Sequence, residues 1–69
     1  MDGEIKYINI VNTNNETIQI IINKTYGYRW NEDITFKCIL EKYDERTNVA
    51  LIKNDKGILI VRLDRLYDI

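Results

Sequence analysis

The chain contains no histidine, no serine and no proline, and a single cysteine, Cys38. Structural and catalytic zinc sites are built from clustered Cys and His, so a zinc centre is excluded. The same absences remove Ser–His and Cys–His nucleophilic pairs. One cysteine cannot close an internal disulfide, which fits a reducing, cytoplasmic setting. No apolar run approaches the ~20 residues of a membrane-spanning helix, so no membrane partner is expected. Basic and acidic side chains number 10 and 11, for a net charge of −1, and they form no block of one sign. The phosphate-attracting face of a basic nucleic-acid binder is therefore not advertised. Carboxylates do gather, as Glu41, Asp44 and Glu45 at a strand end and as Asp64 and Asp68 near the terminus. A chain this short offers little concavity in which two acids could acquire separated pKa values, so both groups are read as solvated turn chemistry. No enzyme, no cofactor and no metal is the expectation.

What is present points to one small β-domain spanning residues 1–69. Hydrophobic residues make up 45% of the chain and charged residues 30%, with thirteen isoleucines among them, which is too apolar for disorder. A core of this size supplies only about 3–5 kcal/mol without a disulfide or metal, so docking on a larger partner or assembly into a homo-oligomer is expected. Asn15-Glu16-Thr17 and Asn23-Lys24-Thr25 have glycosylation spacing, but no secretory leader is read ahead of them, and both are taken as turns. Heavy use of Ile, Asn and Lys fits an AT-rich genome. With the short chain, it suggests a bacterial, archaeal or mobile-element source.

Period-2 alternation predicts the strands. Glu4–Val11 and Thr17–Asn23 read as a hairpin across the Asn12–Asn15 turn, with Ile18, Ile20 and Ile22 facing one way and Ile21 implying cover on both sides. Ile34–Tyr43 reads as the longest strand, with Ile34, Phe36, Cys38 and Leu40 inward. Asn48–Lys53 and Ile58–Arg62 form a second hairpin, and the apolar phase is carried on through Val49, Leu51, Ile58 and Ile60. Gly57 sits where the turn needs a positive φ. Leu63–Leu66 reads as one tight helical turn, and Tyr67–Ile69 as a last edge strand. The expected fold is all-β: a five- to six-stranded antiparallel SH3-like or Sm-like barrel with one short 3-10 turn near the C-terminus.

Lys24–Asp33 breaks the alternation and reads as a long loop, with room for a short irregular strand. It holds Tyr26, Tyr28, Arg29 and Trp30, the residue types that anchor protein interfaces or stack on bases. Large aromatics also cap the ends of tiny cores, and Trp30 inward with Tyr26 and Tyr28 outward would satisfy both roles.

From Phe36 onward, two segments carry a resemblance. The first is Leu40-Glu41-Lys42-Tyr43-Asp44-Glu45-Arg46-Thr47-Asn48-Val49-Ala50-Leu51, an aromatic–Asp pair, three intervening residues, an Asn and an aliphatic run. The second is Ile60-Val61-Arg62-Leu63-Asp64-Arg65-Leu66-Tyr67-Asp68-Ile69, an aliphatic strand followed by Arg and Asp. Together they resemble the Sm-like proteins, small barrels that assemble into RNA-binding rings, and the strand–Asp–strand–Gly–strand ending is similar to that of the YolD-like barrels of bacteria and phages. The Sm-like resemblance implies single-stranded RNA binding in which Asn48 meets a base edge, Arg46 stacks on the base, and Arg62 and Asp64 complete the pocket. Positions where that family carries glycine hold Cys38, Lys42 and Leu63.

The expected activity is that of a protein-binding module, a regulator or inhibitor from a phage, mobile element or AT-rich prokaryote. It would grip an unidentified protein through Tyr26, Tyr28, Arg29 and Trp30 or through a free sheet edge. The alternative is the ring-forming RNA binder.

Overall fold

A computed structural model describes residues 6–69. Among the described residues seven strands are formed: β1 (Ile8–Val11), β2 (Thr17–Ile20), β3 (Thr25–Arg29), β4 (Thr35–Asp44), β5 (Val49–Asn54), β6 (Gly57–Arg62) and β7 (Leu66–Tyr67), with a 3-10 turn, Leu63–Arg65, before the last. They make two antiparallel sheets, β1-β2 and β6-β5-β4-β3-β7. No ladder joins the two among the described residues. One core lies between them, centred on Ile18, Ile20, Tyr26, Leu40, Ile52, Leu63 and Leu66. No helix among the described residues is long and apolar enough to cross a membrane.

Turn chemistry explains most strand boundaries. Asn15, Asn23 and Asn48 all take positive φ, a region asparagine tolerates better than other side chains. The first two are the residues with glycosylation spacing, and both serve as turns. The predicted strand at Glu4–Val11 begins at Ile8, and the part of it at Glu4 and Ile5 lies outside the described residues. β2 ends at Ile20, not Asn23; Thr17 and Gln19 on its outer side are exposed, so the strand is covered on one face only.

Two expectations are corrected. Lys24–Asp33 is not a long loop with a short irregular strand, because Thr25–Arg29 is a regular strand between β4 and β7. Gly27 makes room there for the ring of Tyr67 directly across the ladder, where a β-carbon would collide with it. The second correction is one of phase. Ala50, Ile52 and Val61 face the core, whereas Val49, Ile58 and Ile60 face outward. The cause is a bulge between Leu40 and Lys42, where an extra residue, Glu41, reverses the alternation inherited from Cys38 and Leu40. Tyr43 then pairs with Ala50 on the inner side.

The two sheets are stapled by Tyr26. Its hydroxyl donates to the Gln19 carbonyl at 2.5 Å and accepts the Ile21 N–H at 2.8 Å. Gly57 holds φ +125°, with open space where a β-carbon would stand. Gly57→Val therefore costs conformation, not packing: about 1–2 kcal/mol should be lost, read as a lower urea midpoint. An unchanged midpoint would show that the hairpin does not need that backbone geometry.

Candidate functional site

The aromatic segment is split by the strand it forms. Tyr26 (0% exposed) and Tyr28 (4%) alternate inward, so neither can anchor a partner from the surface, while Trp30 is 53% exposed. The orientation expected from sequence is thus inverted. Arg29 is half-buried and stands 5.8 Å from the centre of the Tyr67 ring.

Although exposed, Trp30 is held from several sides. Its backbone N–H donates to the Ile34 carbonyl at 2.9 Å. Asn31 Oδ1 accepts the N–H groups of Asp33 and Ile34, both at 2.8 Å, which closes the β3–β4 turn as an Asx-type loop. From the far end of the sequence, Arg65 Nη1 donates to the Trp30 carbonyl at 3.1 Å and more weakly to that of Arg29 at 3.4 Å. The indole tilts against Tyr28 at 6.5 Å between ring centres, and Tyr28 in turn packs on Phe36 at 5.6 Å. Beside it lies an open cleft of about 530 Å³, walled by Trp30, Ile34, Phe36 and Leu59 and rimmed by the polar β5–β6 turn. Ile34 and Leu59 were legible only as strand residues; nothing in their spacing places them beside Trp30.

The residues implied by the family resemblance are partly gathered. Asn48 Oδ1 accepts the Asp64 N–H at 3.1 Å, and its carbonyl accepts the Leu63 N–H at 3.1 Å. Arg62 pairs with Asp64 at 3.0 Å with its side chain well exposed, a geometry worth about 0–1 kcal/mol at a surface. Asp64 Oδ1 is buried without a hydrogen-bond partner among the described residues. Arg46 lies two residues before Asn48 in the same turn, its N–H donating to Asp44 Oδ1 at 3.0 Å. Leu63, at a family glycine position, is buried in the core. Asn48, Arg62 and Asp64 are thus brought together, Arg46 shares only the turn of Asn48, and the visible work of Asn48 and Asp44 is to shape the backbone.

The single thiol, Cys38, is buried in β4, and burial pushes its pKa from 9.0 up to about 11. A thiol so placed stays protonated and unreactive at neutral pH. Burial likewise raises the Tyr26 phenol above its usual 10.0, only partly opposed by the bond from Ile21.

Comparison with protein-family models, with curated proteins and with solved structures returns no match.

Proposed function

We propose that this chain is a non-enzymatic β-domain that acts by docking another protein onto the Trp30 cleft, as a small regulator or inhibitor of phage, mobile-element or AT-rich prokaryotic origin. One observation carries the reading: a half-exposed tryptophan, its backbone clamped in place, beside an apolar cleft. Interface hot spots are enriched in tryptophan. A backbone held by Arg65 and Ile34, with the indole leaning on Tyr28, has less freedom left to lose on binding. The apolar walls and polar rim match the anatomy of protein interfaces, and an open cleft of this size would seat one or two large side chains of a partner. We read the two sheets together as the halves of an SH3-like or Sm-like small barrel.

Trp30→Ala should leave the far-ultraviolet spectrum intact and cut recovery of the partner from a cell extract at least about tenfold. Undiminished recovery by a folded variant would remove the cleft from the account.

A second reading rests on the convergence of Asn48, Arg62 and Asp64, with Arg46 in the same turn as Asn48. It takes the chain as a ring-forming, Sm-like binder of single-stranded RNA. Salt-sensitive affinity for uridine-rich RNA, lost in Arg46→Ala, would favour it.

A further inference from the structure

β6 ends the five-stranded sheet, and its outer face is apolar: Ile60 is 75% exposed and Ile58 58%. The hydrogen-bond phase of this edge follows from one contact. The Leu63 N–H donates to the Asn48 carbonyl. Bonded pairs recur every second residue in an antiparallel ladder, so Ala50–Val61, Ile52–Leu59 and Asn54–Gly57 are bonded pairs. The N–H and C=O groups of Ile58, Ile60 and Arg62 must then point away from β5, toward the open edge. Proteins guard such edges with lysine, proline, a bulge or an unusually short strand. β6 reads Gly-Ile-Leu-Ile-Val-Arg, in unbroken register with β5, and has none of these devices; its one charge, Arg62, stands at its end. The opposite edge, β7, is guarded by being two residues long.

We infer that β6 pairs antiparallel with β6 of a second copy of this chain, about a two-fold axis through Ile60. Only the even-numbered residues offer backbone groups to the edge, so the axis passes through Ile58, Ile60 or Arg62, or between two of them at Leu59 or Val61. An axis at Leu59 sets Lys56 against Arg62, two like charges, and one at Val61 leaves only Ile60 and Arg62 of each strand bonded. An axis at Arg62 sets two guanidinium groups against each other, and like charges directly opposite are destabilising. An axis at Ile58 sets Lys56 against Ile60 and leaves Arg62 beyond the strand pairing. The axis at Ile60 places Ile60 on Ile60 and each Ile58 on the stem of Arg62, with about six new backbone bonds. It also brings Lys56, just before one strand, toward Asp64, just after the other, so the strand ends are complementary in charge. On the outer face, Leu51 and Ile60 of each copy become one apolar stripe. With a net charge of −1 per chain, repulsion between copies is small. The Trp30 cleft lies on the inner side of the sheet and stays open.

Light scattering of the wild-type chain should give twice the 8.3 kDa chain mass. Ile60→Lys, a change at an exposed position that leaves the fold intact, should raise the dissociation constant on the order of a hundredfold and give the single-chain mass. The register is read separately with a short bismaleimide: Ile60→Cys should link two copies, whereas Ile58→Cys should not, because those positions lie across from Arg62. Buried Cys38 does not compete for the reagent. A wild-type monomer at high concentration, a ring-sized mass, a dimer indifferent to Ile60→Lys, or equal linking by both cysteine variants would each overturn the assignment. Trp30→Ala should leave the dimer untouched, which separates this assembly from partner docking.

Discussion

Asn12→Ala is expected to remove about 2–3 kcal/mol of folding stability, most of what a core this small can supply. Asn12 is 5% exposed and uses both ends of its amide. Oδ1 accepts the N–H groups of Asn14 and Glu16, each at 3.0 Å. Nδ2 donates to Glu16 Oε1 at 3.2 Å and to the Leu66 carbonyl at 3.1 Å. The first three bonds shape the β1–β2 turn; the fourth ties that turn to β7, at a residue that is fully buried. Alanine leaves the Leu66 carbonyl without its donor in a place water does not reach, and that term dominates. The freed N–H groups of exposed Asn14 and Glu16 find water and add less. Asn12→Asp sharpens the test. It retains the turn-shaping acceptor but aims a carboxylate oxygen at the Leu66 carbonyl and at Glu16, so it should not rescue stability at neutral pH. Urea midpoints of the three proteins decide the matter. An alanine variant within about 0.5 kcal/mol of the parent would mean that the turn and the C-terminal segment are held by other contacts.

Stability is also expected to collapse in alkali. Cys38 ionises near 9.0 in the unfolded chain but near 11 when folded, because burial disfavours the thiolate. Between those values the unfolded state binds fewer protons than the native one, so stability falls as pH rises. The contribution is complete below about pH 9 and exhausted above about 11. One pKa unit corresponds to about 1.4 kcal/mol, so the loss approaches 2–3 kcal/mol from Cys38 alone. Tyr26, also raised by burial and paired directly with Cys38 across β3 and β4, adds a loss of the same sign at higher pH. The urea midpoint should therefore drop sharply between pH 8 and 10.5 and drop less in Cys38→Val. A flat profile over that range would contradict the burial of both groups.

Much of the fold was legible because the turns are chemically explicit. Asn12–Asn15, Asn54–Gly57 and the Leu63–Arg65 turn all lie where residue type places them. Phase was not legible in β5 and β6. Val49–Ile52 and Ile58–Val61 are apolar at consecutive positions, so alternation fits either face equally well. The deciding event, the bulge at Glu41, leaves no mark in composition. β3 was legible only as a short irregular strand within a loop, because Gly27 breaks the alternation; its glycine is filled by Tyr67, forty residues later. The candidate site was half legible. Trp30 and Arg29 stand out by type, but the inward turn of Tyr26 and Tyr28 depends on strand pairing. The clamp from Arg65 and the cleft walls Ile34 and Leu59 are products of tertiary packing. For the same reason Asn12 read as one turn asparagine among several, since its decisive partner, Leu66, is fifty-four residues away.

The most direct test of the account is an amide and indole correlation spectrum of the labelled chain, recorded while its captured partner is titrated in and, separately, uridine-rich RNA. The account predicts that the partner shifts the Trp30 indole and the amides of Ile34, Phe36 and Leu59, while RNA shifts nothing. Shifts confined to Arg46, Asn48, Arg62 and Asp64 on adding RNA, with the indole unmoved by any partner, would contradict it.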